Sequence, residues 1–441
     1  MKKLILLSAV ALITSGSAAL ADITILAWPG GEPEKALRKV VTLYNETQGV
    51  KDGNSAETIY FSRQGFKEKM LADAAAGSTE FDLMVTATYD IGRYAPFMAP
   101  IDEIIDDKIY NVFPPNVMAT QSFNGKVYGI PNDLSLHFLY YRQDYIDQLL
   151  TDPDWIAKYE KISVENLGKK MSPKHPDDWS WDDYIATALF FTKSINSDSP
   201  TRFGTVLQMK NLLFNMMIWH STVASYGGDW RDSNGNVTID SDAFRKGLSI
   251  FKTIVDNKAT PGSSTTYEYG DANAAFGSGQ VAFMLQWNAA VPELNDPEQN
   301  AVVAGKFGLA RQPEGPEGRK THFHSLGLGL SAASENKEDA LKFLRWLGTS
   351  VEANTMYADL GGSPPVVDAI MDVVAEKRPD MPLMGEHAGK YGFVMDGGAS
   401  EHALGIYTIM AEHFTGYWAG EESEDEAIAK VQQAVEEAFG K

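Results

Sequence analysis

Five oxygen-bearing side chains alternate along GGDWRDSNGNVTID, residues 227 to 240: Asp232, Asn234, Asn236, Thr238 and Asp240. Such a string can wrap a calcium ion. The helix–loop–helix calcium site, however, needs glycine at its sixth place and a bidentate glutamate at its twelfth. Counted from Asp232, those places hold Val237 and Ala243, so the calcium reading fails. Asn234-Gly235 is instead a two-residue hairpin signal, with VTI as the outgoing strand and Asp240 or Ser241 placed to cap the next helix.

Other chemistries fail in similar ways. Adjacent Tyr140 and Tyr141 could ligate ferric iron, but strand alternation sends them to opposite faces and no His and carboxylate partners accompany them. Glycoside hydrolysis needs two carboxylates flanking one bond. Asp90 and Asp133 could converge that way, yet any acidic protein of this size offers such pairs. HExxH, GxSxG and the glycine-rich phosphate motifs do not follow any strand, so proteolysis, ester hydrolysis and nucleotide binding lack their signals. Cysteine is absent, which removes disulfides, thiolate metal sites and thiol nucleophiles, and no cofactor is expected.

The remaining candidates are flat aromatic and hydrogen-bonding groups at strand ends, the two kinds of group that a sugar site uses. Aromatic faces stack on the apolar side of a pyranose or polyol, and planar polar groups pair with vicinal hydroxyls. A buried polar group left unpaired costs about 1–3 kcal/mol, which is how such a site rejects the wrong sugar. Trp28 and Trp287 each end a strand and are followed by a loop, and Trp230 lies at the rim of the hairpin. Arg63, Gln64, Thr88, Tyr89, Asp90 and Asn288 also follow strands. Asp90 would serve as a helix N-cap as well. Trp155, Trp179, Trp181 and Trp346 read as local packing.

The elements that must position these groups follow from pattern. ITILA, ETIYF and FDLMVTAT are strands separated by two helical segments, EPEKALRKVVTLYNETQG and FKEKMLADAAAGS. Strand–helix alternation predicts a parallel α/β sheet, whose ligands bind beyond the carboxyl ends of the strands. Asn124-Gly125 predicts a hairpin. The stretch from about 150 to 270 is helix-rich; VAFML and HFHSLGLGLSAAS are strands, with Gln286-Trp287-Asn288 exposed after the first. Helices are expected over ENKEDALKFLRWLGTS and EESEDEAIAKVQQAVEEAF.

The chain opens MKKLILLSAVALITSGSAALAD, with two lysines, an apolar run too short to span a bilayer, and Ala19-Leu20-Ala21 as a cleavage site. It reads as a signal peptide over 1–21, removed on export, with no cysteine for a lipid anchor, so a free periplasmic protein is expected. Losing Lys2 and Lys3 takes the formal charge from −21 to −23, a surface that repels nucleic acid and anionic lipid.

In order along the chain, GFKEKMLADAAAGSTEFDLMV, NGKVYGIPNDLSLHFLYYRQDYI, the GGDW stretch, AFGSGQVAFMLQWN, SLGLGLSAASENKEDALKFLRWL, LGGSPPV and the closing GEESEDEAI resemble the bacterial extracellular solute-binding proteins of ABC importers, in particular the maltose- and trehalose-binding family. The resemblance implies a non-enzymatic monomer of two α/β lobes. It places 22–131 and 271–334 in the N-terminal lobe and 132–270 and 335–441 in the C-terminal lobe. A sugar or sugar alcohol would bind between them, and the closed form would dock on a membrane permease. It also adds Asp133, with Ser135 and His137 beside it, His324 with Ser325, and Gly362 to the candidate ligand contacts. Two alternatives stay open: another small polar solute such as an opine-like compound, or a secreted carbohydrate-active enzyme.

Overall fold

The computed structural model describes residues 22–27, 29, 31–61, 66–395 and 399–440. The leader expected over 1–21, together with Trp28, Arg63 and Gln64, lies outside the described residues. The first third follows the expected alternation. Strand β1 (Ile23–Ala27) leads into helix α1 (Gly31–Glu46), then β2 (Ala56–Tyr60), α2 (Phe66–Ala75) and β3 (Leu83–Ala87). Leu37, Val40, Val41 and Tyr44 recur on one face of α1 and are buried against the sheet. β1 pairs in parallel with both β2 and β3, as strand–helix–strand crossovers require.

The remaining members of the ten-stranded sheet are β4 (Met98–Ala99), β5 (Gly129–Arg142), β6 (Phe203–Val206), β7 (Val281–Trp287), β8 (Phe307–Ala310), β9 (Thr321–Ser331) and β10 (Gly392–Phe393). Neighbours run β2-β1-β3-β9-β5-β7-β6, with β4 and β10 on β9 and β8 on β5. Two strands tie the halves together. β9 pairs with β3 over Leu326–Leu330, and β5 pairs with β9 over its first part and with β7 and β8 over its second. The register between β5 and β9 shifts at Leu326/Gly327, a bulge that bends the sheet beside Asp133.

Helices cover the second half of the sheet: Pro153–Leu167, Trp181–Phe190, α3 (Leu213–Ser225), α4 (Asp242–Asp256), α7 (Ala403–Ala419) and α8 (Glu424–Ala438). Trp179 packs on Phe283 at 5.1 Å between ring centroids, Trp181 on Tyr184 at 5.6 Å and Trp155 on Phe190 at 5.3 Å, the local packing expected of them. Near the first strands lie α5 (Lys337–Thr349) and α6 (Val351–Asp359). Phe343 and Trp346 of α5 meet Tyr44 of α1 at 4.9 and 5.0 Å.

Two turn expectations come out differently. Asn124 and Gly125 take φ of 48° and 74°, the left-handed pair that a tight hairpin demands. Around Asn234-Gly235 the hairpin shrinks to one bridge, Arg231 to Val237, and VTI forms no strand. The Asp232 carboxylate there accepts from the Asn234 and Asn236 amides and from Asn236 Nδ2, so it organises its own turn. Ser241 stands at the N-cap of α4 without a capping bond, and Asp240 pairs with Arg245 at 2.9 Å.

Candidate functional site

One register row crosses four adjacent strands. Trp287 of β7 pairs with His137 of β5, and the rings stand 3.9 Å apart. One step beyond Phe323↔Leu136, the antiparallel register brings His322 of β9 opposite His137, with centroids 6.2 Å apart. His322 in turn pairs with Phe393 of β10, edge to face at 5.6 Å. His324, two residues along β9, therefore shares the face of His322, and meets Trp287 and Tyr89 at 5.2 Å each. Helices close over this face. His220 of α3 and Tyr407 of α7 share a 2.8 Å hydrogen bond, and Tyr407 lies 5.9 Å from His322.

Every imidazole in the row is buried, and five ring nitrogens have no hydrogen-bond partner among the described residues: both of His137, both of His322 and Nδ1 of His324. Such groups are rare in folded proteins because each costs about 1–3 kcal/mol. Burial holds all three rings well below the ordinary histidine pKa, that of His324 down to about 3. They are neutral at physiological pH, so each offers one donor and one acceptor. Beside flat aromatic walls, that is a surface for hydroxyl groups.

The sequence candidates divide into separate neighbourhoods. Tyr89, Trp287 and His324 meet in the row, with His137. Thr88 and Asp90 border it with their polar atoms engaged. Thr88 Oγ1 accepts from the Ser325 amide at 3.0 Å. Asp90 occupies the N-cap position of the short helix Ile91–Tyr94 but makes no capping bond; instead it pairs with Lys67 Nζ at 2.9 and 3.1 Å. Burial pushes the Asp90 carboxyl up and the Lys67 ammonium down, each opposed by its partner's charge.

Asp133, Asn288 and Gly362 gather in a second cluster, a knot between β5 and the segment after α6. Asp133 Oδ2 accepts from Tyr357 Oη at 2.9 Å and from the Ser363 amide at 3.0 Å. Asn288 Oδ1 accepts from the Leu136 amide, while its Nδ2 donates to Leu134 O and Ser363 Oγ. The Gly362 carbonyl is held by Arg378, and a Cβ there would lie 2.2 Å from the Tyr357 ring, so glycine is required by packing. Trp230 is not at a rim: it is fully buried, stacked on His220 at 6.0 Å on the helix side. Nor are Gln286, Trp287 and Asn288 exposed, because β7 runs on through Trp287 between β5 and β6. Tyr140 and Tyr141 point apart, Tyr140 to the Trp287 carbonyl and Tyr141 towards His175.

Sequence reasoning missed His322, Lys67, Phe214, Phe393 and Tyr407. His322 carried a signal, since HFH places two histidines at strand spacing on one face. Phe214, whose ring lies 6.0 Å from that of Tyr89, is on α3, where burial is nearly all-round and no periodicity marks one face. Tyr407 falls on the buried stripe of α7, where its spacing is that of an ordinary core position.

Residues 29–382 match the family model of the bacterial extracellular solute-binding proteins. The chain belongs to that family. Among curated relatives, the lactose-binding protein of Rhizobium radiobacter is 23% identical over 350 residues, covering 77% of this chain and 73% of its own. The maltose-bound T. maritima MalE3 structure superposes with a TM-score of 0.74 at 22% identity, over 94% of this chain and 99% of that one. A ribitol complex of a solute-binding protein from Agrobacterium radiobacter K84 gives 0.73 at 17% identity, over 95% and 98%. These likenesses show the two-lobe α/β fold of binding proteins. Proteins of this family capture solutes rather than transform them, and among the described residues no helix is long and apolar enough to cross a membrane.

Proposed function

We propose that this solute-binding protein is the exported, periplasmic component of an ABC importer, capturing a sugar or sugar alcohol between its lobes and handing it to the membrane permease. The observation that carries the reading is the row of neutral imidazoles with unpartnered nitrogens between Trp287 and Phe393. It lies on β5, β9 and their neighbours, the strands that join the two halves. Family membership, the relatives' lactose, maltose and ribitol, and the signal-peptide pattern of 1–21 support the same reading. Tyr89, His137, Trp287 and His324 are the proposed ligand contacts in the described residues, with Trp28 and Gln64 added from sequence.

The lobes proposed are those expected from sequence, with one change. The packing of Phe343 and Trp346 on Tyr44 favours placing α5 with the first lobe rather than with the segment 335–441. Asp90 and Asp133 are each engaged by chain partners, which disfavours a glycosidase pair. The test is tryptophan fluorescence titrated with monosaccharides, disaccharides and polyols, with native mass spectrometry of the recovered compound. Saturable binding and intact release support transport; silence across the panel, or a converted compound, would overturn the reading.

A further inference from the structure

The row also limits what can bind. Its hydrogen-bonding part is short. Going across the strands, Trp287 stands at one end and Phe393 at the other, and between them lie only His137 and His322, with His324 one step along β9. The two central rings, with centroids 6.2 Å apart, are wholly buried, so the row has no open end along which linked sugar rings could extend. Tyr407 and His220 stand over Phe393 and His322, which closes the face from the helix side.

The row is also uncharged. The influences on His137 and His322 come from burial and from other imidazoles, with no carboxylate among them. The charge bearing on His324 is that of Lys67, which Asp90 neutralises at 2.9 Å. Among the described residues no cluster of His, Asp or Glu is arranged to hold a metal ion, so the orphan nitrogens are not accounted for by a cation.

Resting on the proposed sugar or polyol reading, we infer that His137, His322 and His324 are the specificity-determining contacts for a single small, neutral, polyhydroxylated unit: one monosaccharide ring or a short sugar alcohol, not an oligosaccharide. Each imidazole edge offers a donor and an acceptor to neighbouring hydroxyls. An analogue lacking one hydroxyl leaves a buried nitrogen unpaired and is rejected. In the unliganded chain the same nitrogens are unmatched, so these rings weaken the fold in order to recognise the ligand. Replacing such a group by an apolar ring of similar shape removes that unmet demand.

The experiment is calorimetric titration of the full chain with ribitol, D-mannitol, D-glucose and maltotriose, together with thermal unfolding of the unliganded protein. His322→Phe should bind the preferred monomer at least about a hundredfold more weakly while its unliganded Tm stays level or rises. His322→Gln, which keeps a donor and an acceptor, should lose less than about tenfold, and maltotriose should not compete. Undiminished binding by a folded His322→Phe overturns the inference while leaving the sugar reading standing. So does a preference for maltotriose, or binding abolished by EDTA. Wild-type protein that binds none of the four overturns both.

Discussion

The Tyr357 hydroxyl donates to the Asp133 carboxylate at 2.9 Å, joining positions 224 residues apart in the chain. The Ser363 amide donates to the same oxygen, and the Leu134 amide answers by donating to Ser363 O at 2.7 Å. β5 is thus fastened to the segment after α6 beside the bulge in the sheet. Asp133→Ala leaves a buried hydroxyl and a buried amide unpaired and should lower stability by about 2–4 kcal/mol in urea denaturation. Asp133→Asn keeps an acceptor there and should lose much less. Equal losses in the two variants would show that the knot does not depend on the acceptor.

Lys67 and Asp90 form a buried ion pair under the Tyr89 ring, with Lys67 Nζ 3.9 Å from the ring centroid. Lys67→Met leaves the carboxylate buried without its counter-charge and should destabilise the protein by about 3–5 kcal/mol. Adding Asp90→Leu should recover most of that loss. A double variant as unstable as the single one would mean that the pair acts through more than its charge.

Trp287 presses on His137 and meets His324, which makes it the aromatic wall at one end of the row. Trp287→Ala should weaken solute binding by about 1–3 kcal/mol in calorimetric titration, with Trp287→Phe intermediate. Unchanged affinity in a folded Ala variant would remove Trp287 from the site.

Acid should destabilise the protein through its histidines. His220, His324 and His387 are pushed to about 3 from 6.5 by burial, and His137 and His322 lie well below 6.5. Above 6.5 these rings are neutral folded or unfolded and add no pH dependence. Below it the unfolded chain takes up protons that the native state refuses, at up to about 1.4 kcal/mol per pH unit for each ring. Asp133 acts in the opposite sense. Its carboxyl is raised to about 6 from 3.8, so its contribution is full below 3.8 and is lost as pH rises through 6. The Asp90 carboxyl, also raised by burial, acts in the same sense as Asp133, and five rings outweigh two carboxyls. The Tm should fall from pH 7 to pH 5, and fall less steeply in His322→Phe. Equal slopes in the two proteins would exclude His322 from the effect.

Local pattern was enough for much of the framework. ITILA is β1 residue for residue, the Asn124-Gly125 turn forms, and the segments around 337–349 and 424–438 are helices. These depend on propensity, side-chain period and turn chemistry, which act over a few residues. The ordered landmarks of the solute-binding family likewise sit in the sequence as read. Tyr89 and Trp287 could be named because each stands at or near a strand end, where α/β sheets present side chains to ligands, whereas His324 follows from the family resemblance.

The partners of each group could not be read that way. Asp133, Asn288 and Gly362 have the residue types of a sugar site, yet their polar atoms hold β5 to the chain beyond α6. His322 and His137 become neighbours only through the register between β5 and β9, strands separated by 178 positions from the end of one to the start of the other. Trp230 became core because α3 and α7 cover it. The sequence by itself determined the elements, the class and the stock of aromatic and polar side chains. Tertiary structure decided which of them face one another unpaired, because hydrogen-bond satisfaction depends on strand register and helix packing across the whole chain, and no local pattern encodes either.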